Sequence, residues 1–107
     1  MWEEKSYAVY IMTNWRRGVL YTGVTSNLAG RVLQHREGVI KGFTQKYRCK
    51  RLVWFEVHSD IGEAILREKK IKRWRRQWKF DLIEAANPNW LDRWDLVNGS
   101  VAGPRLV

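Results

Sequence analysis

The carboxylate of Glu68 occupies the position that most directly suggests chemistry. It lies near the middle of an apolar stripe that a helix would present on one face. A carboxylate among apolar side chains is costly unless it is paired with a cation or bound to a metal ion. Two interpretations therefore stay open: a salt bridge to Arg31, Arg75 or another cation, or a metal ligand. The residues of the stripe are Ile61, Ala64, Ile65, Ile71 and Trp78.

Arg31 and His35 form a second candidate pair. They stand one helical turn apart beside Leu28 and Val32, along an edge of the face that should pack on a sheet. A guanidinium at such a border either extends into solvent or forms a planar fork on a phosphate. His35 is either an ordinary helix-surface histidine or part of the same site.

Tyr10 and Tyr21 lie in two segments that read as the strands of a β-hairpin. If the loop is centred on Trp15 and Arg16, the two tyrosines are directly opposed and share one face of the sheet. An ordinary aromatic cross-strand pair would look the same, so the tyrosines alone do not define a site.

The charge of the chain points to a polyanionic partner. Lys and Arg number 20 against 11 Asp and Glu, which gives a net charge of +9 and a pI near 10.1. Such an excess attracts nucleic acid. Two alternatives are a basic surface that only faces solvent and a surface that binds an anionic membrane. Basic residues crowd the segment from 67 to 79, and those that point away from the apolar stripe are Lys69, Lys70, Arg73 and Arg76.

These side chains need a scaffold that brings a hairpin and two helices together. The spacing of apolar residues is that of strands in three segments and that of helices in three others. Along the chain these elements follow the order ββαβαα. We therefore expect an α+β domain with a small antiparallel sheet of about three strands flanked by helices. The predicted elements are strands at 6–13, 19–24 and 51–57, and helices at 27–37, 61–77 and 79–86, with a binding loop at 38–50.

The chain reads as one domain over residues 1–98 followed by a weakly ordered tail at 99–107. Cys49 is the only cysteine, so an intrachain disulfide is impossible and a reducing cytosol is expected. No targeting segment or membrane span is evident, and we expect a cytoplasmic protein. The oligomeric state is not readable, and a monomer is the default.

Several short motifs in the right order resemble the GIY-YIG nuclease superfamily. The strand segments YAVY and YTG resemble its two signature tripeptides, although Ala8 replaces the usual glycine and Thr22 the usual aliphatic residue. We expect both replacements to project to the face opposite the tyrosines. The other matching stretches, which extend the resemblance over about residues 7–94, are SNLAGRVLQH, GFTQKY, EAILREKKIK and NPNW.

The resemblance implies a GIY-YIG nuclease fold and hydrolysis of DNA with one divalent ion, Mg²⁺ or Mn²⁺. It makes Tyr10 and Tyr21 active-site tyrosines and Arg31 the arginine that stabilises the phosphate. Glu68 becomes the metal ligand, a role that suits a hard carboxylate. His35 matches a position that is often an active-site histidine. Lys46 lies in a loop that approaches DNA in relatives, and Asn87 is preferred over Asn89 as a further site residue.

The chain resembles the small standalone bacterial members of this superfamily. The incising domain of the nucleotide-excision-repair nuclease is another member, so a role in DNA repair is among the expectations. The alternative is a catalytically silent nucleic-acid-binding module on the same fold. Cleavage of RNA also stays open. In a nuclease, Tyr10 would act as the general base only if neighbouring cations lowered its pKa, and otherwise the proton would pass through His35.

Overall fold

The computed structural model describes residues 6–97. Its centre is a three-stranded antiparallel sheet in the order β2-β1-β3. The strands are β1 (Tyr7–Thr13), β2 (Leu20–Thr25) and β3 (Arg51–His58). The central strand β1 is apolar almost throughout, and it is buried along nearly its whole length because helices cover both faces. The predicted α+β architecture is confirmed.

The register of the hairpin differs from the prediction by two residues. Tyr10 pairs with Gly23, and Tyr21 pairs with Met12, so the tyrosines are diagonal neighbours. The loop is displaced because Asn14 Oδ1 accepts the Val19 amide at 2.9 Å and extends the turn. An even displacement keeps every side chain on its expected face, so the two tyrosines still share one.

The expectation for Ala8 was wrong. Ala8 precedes Tyr10 by two residues and therefore projects to the same face, because side chains alternate along a strand. Thr22, adjacent to Tyr21, projects to the opposite face as expected.

Helix α1 (Leu28–Glu37) covers the face that carries Tyr10. Asn27 accepts the Gly30 amide at 3.0 Å as the N-cap, and Gly38 ends the helix in the left-handed conformation with φ 73°. The core on this side consists of Tyr10, Met12, Val32, Cys49 and Leu52.

The two helices predicted at 61–77 and 79–86 are present, but the break between them comes earlier, at Trp74 and Arg75. Helix α3 (Ile61–Arg73) is capped by Asp60, which accepts the Glu63 amide at 2.8 Å, and α4 spans Arg76–Ala86. Trp74 and Arg75 are extended, with ψ of 150° and 155°. The break turns α4 so that its apolar face joins the second core, which consists of Val9, Ile11, Val53, Trp54, Ala64, Ile71, Phe80, Ile83 and Trp90.

The apolar stripe is consequently narrower than predicted. Trp78 belongs to α4 and is 50% exposed, and Ile61 is 45% exposed. Ala64, Glu68 and Ile71 form the buried face of α3.

Two short helices add to the predicted order: α2 (Phe43–Lys46), inside the expected loop, and α5 (Trp94–Val97). Within residues 6–97, no helix has the length and apolar character that a membrane span requires. The tail predicted at 99–107 lies outside the described residues.

Candidate active site

A buried chain of three polar side chains links β1, α1 and α2. The Tyr10 hydroxyl lies 3.0 Å from His35 Nε2, and His35 Nδ1 lies 3.0 Å from Thr44 Oγ1. Tyr10 and His35 are only 2% and 3% exposed, so the helix-surface interpretation of His35 is wrong. The histidine is buried because α1 presents Val32 and His35 to the sheet. Sequence reasoning missed Thr44, although it lies inside the GFTQKY motif.

Gly23 creates the space that Tyr10 needs. A Cβ atom on Gly23 would lie 2.6 Å from both Cζ and Oη of Tyr10. No side chain tolerates that separation, so the phenol lies directly against the bare backbone of β2. Because β2 is an edge strand, this position places the hydroxyl near the rim of the sheet. The glycine of the YTG motif therefore has a steric role.

Tyr21 completes an aromatic cluster around the hydrogen bond. Its ring centroid lies 6.3 Å from that of Tyr10 and 5.5 Å from that of His35. Rings at these separations are in contact, so Tyr21 restricts the orientations of both partners. The structure thus brings together both tyrosines and the histidine.

Burial determines the protonation states in this cluster. Desolvation raises the pKa of Tyr10 above its usual range, and Tyr21 and Glu68 add to this effect while Arg31 opposes it. Desolvation, assisted by Arg31, lowers the pKa of His35 to about 4. At neutral pH Tyr10 is therefore a phenol and His35 a neutral imidazole. A phenolate base produced by nearby cations does not fit this environment.

Arg31 is exposed on α1, yet its charge acts on both Tyr10 and His35. Its guanidinium therefore lies near the cluster while remaining accessible to solvent.

Glu68 enters the site from α3, and its cationic partner is Lys72. The Lys72 Nζ atom lies 2.6 Å from Glu68 Oε2, whereas the sequence suggested Arg31 or Arg75 among the candidates. The side chain of Glu68 is 12% exposed and that of Lys72 is 50% exposed. The four-residue spacing of a helix explains the pair, and it was readable from the sequence.

Glu68 fits a site for a hard divalent ion. Mg²⁺ commonly binds through one or two carboxylates and keeps several water molecules. The described residues 6–97 contain no cluster of three or more His, Cys, Asp and Glu side chains suited to a metal. Both nitrogens of His35 are already engaged, whereas Glu68, whose charge acts on Tyr10, offers a carboxylate. The ammonium of Lys72 shows that a cation is accommodated there.

A cleft of about 240 Å³ opens along the edge strand, and its lining includes Lys72, the partner of Glu68. Two lysines face it, Lys72 and Lys79, and burial lowers the pKa of Lys79, with Arg76 and Lys72 adding to the effect. Two ammonium groups at the rim of an aromatic cleft suit a phosphate oxygen. The remaining residues of the lining are Leu20, Tyr21, Thr22 and Phe43.

Asn87 is not brought to this cluster. Its Nδ2 donates to the Val53 carbonyl at 3.0 Å and to the Leu91 carbonyl at 2.9 Å, and its Oδ1 accepts the Leu91 amide. These contacts hold the end of α4 against β3, which is on the other side of β1 from the Tyr10 hydroxyl and β2.

The basic residues predicted to bind nucleic acid separate into two groups. Lys46, Lys69, Lys70 and Arg73 are exposed. Arg76 lies beyond the helix break, and its Nη2 donates to the carbonyls of Arg17 and Gly18 at 2.8 and 2.5 Å. Arg76 thus holds the hairpin loop and is not part of the α3 surface.

Comparison with known proteins identifies a family and several similar proteins. Residues 6–81 match the GIY-YIG catalytic domain family. A UPF0213 protein of Staphylococcus aureus is 37% identical over 79 residues, which cover 74% of this chain and 95% of the relative. A UPF0213 protein of Staphylococcus haemolyticus is 40% identical over 65 residues, covering 61% of this chain and 79% of the relative. No solved structure gives a significant match.

Proposed function

The chain belongs to the GIY-YIG catalytic domain family, and on that basis we propose that it is a metal-dependent endonuclease that hydrolyses phosphodiester bonds in DNA. The proposed catalytic residues are Tyr10, Tyr21, Arg31, His35 and Glu68. A cytoplasmic monomer that uses Mg²⁺ or Mn²⁺ is part of the proposal. Asn87 is left out because its amide is occupied by the backbone around β3.

The hydrogen bond between Tyr10 and His35 is the observation that carries the proposal. In the tautomer with a proton on Nδ1, His35 donates to Thr44 and accepts the Tyr10 proton at Nε2. The Tyr10 oxygen can then take a proton from an attacking water molecule while passing its own to the imidazole. Since the pKa of His35 is about 4, the histidine holds that proton only transiently.

The cations around the cluster would position the phosphate. Arg31 offers planar donors to the non-bridging oxygens, and Lys79 supplies positive charge at the cleft. Glu68 would hold the divalent ion, which supplies Lewis-acid stabilisation of charge on the phosphate when bound. Tyr21 packs against both Tyr10 and His35 and keeps them aligned.

One observation favours the catalytically silent alternative. Lys72 already neutralises Glu68, so a protein that only binds DNA could keep this pair as a structural link. In that case the basic surface would persist and no strand would be cut.

Incubation with supercoiled plasmid and branched oligonucleotides, with Mg²⁺, with Mn²⁺ and with a chelator, tests the proposal. We expect nicking that requires the metal ion and is strongly reduced in Tyr10→Phe, which keeps the ring but removes the hydroxyl. Tyr7→Phe is the matched control, because Tyr7 lies on the same strand and packs into the opposite core. DNA binding without nicking by the wild type would favour the silent module. An RNA substrate in the same assay decides whether RNA is cut.

A further inference from the structure

A row of aromatic rings runs outward from the candidate active site. The ring of Tyr21 lies 6.2 Å from that of Phe43, which in turn lies 4.8 Å from that of Tyr47. The two outer rings are far more exposed than the buried cluster: Phe43 and Tyr47 are 44% and 39% exposed, whereas His35 is 3% exposed. Two large rings therefore present apolar surface to solvent at a place adjoining the catalytic cluster.

The position of these rings is rigidly linked to the site. They flank Thr44, whose hydroxyl contacts His35 and whose carbonyl accepts the Cys49 amide at 2.9 Å. Gln45 Nε2 donates to the Gly38 carbonyl at 2.9 Å, which ties α2 to the end of α1. Helix α2 therefore holds Phe43 and Tyr47 at a set distance from Tyr10.

The charge around the rings matches a nucleic-acid strand. The segment from 38 to 50 has no acidic residue, and its four basic residues are all exposed. Lys46 Nζ lies over the Tyr47 ring, 5.3 Å from its centroid, so a positive charge stands at the outer end of the row. The other basic residues of the segment are Lys41, Arg48 and Lys50.

We propose that Phe43 and Tyr47 form a stacking site for an unpaired nucleobase adjacent to the phosphate that the active site cleaves. Bases inside a duplex are stacked on one another and cannot offer a free face, whereas an unpaired base can stack on an exposed ring. The lysines and arginine of the segment neutralise the phosphates of the same strand. The preferred substrate is therefore DNA with a single-stranded region at the cleavage point. This inference rests on the proposed function.

Binding in the presence of a chelator tests the site without requiring cleavage. Fluorescence anisotropy with wild type should show tighter binding to a fork with unpaired arms than to a blunt duplex of equal length. Phe43→Leu keeps an apolar side chain but loses the flat ring, so its affinity for the fork should fall roughly tenfold. Its affinity for the duplex should change less than about twofold. Trp78→Leu, which removes a half-exposed ring on α4, is the matched control and should change neither affinity.

A fluorescent base analogue in the unpaired arm supplies a readout that does not depend on a variant. Stacking of 2-aminopurine on Phe43 or Tyr47 should quench its emission when the wild-type protein binds. Unchanged emission at every arm position, or equal wild-type affinity for fork and duplex, would overturn the inference. An equal loss of affinity for fork and duplex in Phe43→Leu would overturn it as well. A protein that nicks plasmid but fails these tests would retain the proposed function and lose only the stacking site.

Discussion

Glu68 and Lys72 form a pair whose two members differ in exposure, and this difference sets the outcome of mutation. Lys72 is half exposed, so its ammonium can turn to water if Glu68 is replaced. Because one member can reach water, we expect the loss of the pair to be close to that of a surface pair at this helical spacing, about 0.5 kcal/mol. For Glu68→Gln we therefore expect a free energy of unfolding within about 1 kcal/mol of wild type and no detectable nicking, measured by urea titration and plasmid assay.

Glu63→Gln is the matched control for this prediction, because Glu63 is an exposed glutamate on the same helix. It should retain nicking. A loss of about 3 kcal/mol or more in Glu68→Gln would instead identify a buried structural ion pair. Retained nicking by a folded Glu68→Gln protein would remove the metal-ligand assignment.

His35 makes the stability of the protein depend on pH. Its pKa is about 4 in the folded chain, below the ordinary value of 6.5, so between these values the unfolded chain binds a proton that the folded chain does not. Stability is therefore full above the ordinary value and falls as the pH decreases towards 4. Between about pH 7 and pH 5 we expect a loss of roughly 2 kcal/mol in the free energy of unfolding, measured by urea titration.

The contribution of His35 is separated from that of other groups by two variants. His35→Gln should lose most of the pH dependence in this range, whereas His58→Gln leaves His35 in place and should keep it. An equal slope in wild type and His35→Gln would show that another group produces the effect.

At the scale of the element, the contact between β1 and β2 depends on the absence of a side chain at Gly23. In Gly23→Ala the new methyl group would overlap the Tyr10 ring and push its hydroxyl away from His35. We expect a destabilisation of about 1–3 kcal/mol, typical of overpacking, together with a loss of nicking. Thermal melts and the plasmid assay measure the two effects.

Gly62→Ala makes the same chemical change in the first turn of α3, away from the aromatic cluster, and should leave nicking intact. Wild-type nicking in Gly23→Ala would mean that Tyr10 can move without consequence. That result would count against the Tyr10–His35 hydrogen bond as the catalytic feature.

At the scale of the whole molecule, some of the basic residues form ion pairs within the protein. Arg17, Arg36 and Arg67 are paired with Glu84, Asp92 and Glu56. Lys69, Lys70 and Arg73 are exposed on α3, and we propose that they contact a DNA backbone.

Reversal of these three α3 residues to glutamate should weaken DNA binding without unfolding the domain. If each contacts one phosphate, the slope of log affinity against log salt should become shallower by about 3. Anisotropy titrations at several salt concentrations measure it. Arg76→Ala is the comparison: it releases the hairpin loop, so its main effect should be on thermal stability. An unchanged salt slope in the triple variant would place the DNA surface elsewhere.

Local patterns in the sequence determined most of the elements and their faces. The predicted helix ends near 27, 37 and 61 agree with the caps Asn27, Gly38 and Asp60, because each of these makes its hydrogen bonds within a few residues of its own position. The burial of Glu68 followed from helical periodicity. The prediction that Tyr10 and Tyr21 share a face was correct despite the register error, because a shift of two residues leaves each side chain on the same face. The motifs in their order indicated the family.

The tertiary structure alone decided the contacts between distant segments. Thr44 meets His35 only because α2 folds back on α1, and the break at Trp74 appears where no proline or glycine marks it. After that break α4 packs against β3 in the second core, where the Val53 carbonyl accepts the amide of Asn87. Such contacts depend on the depth and angle of packing between elements, and the spacing of residues along one element carries no information about either.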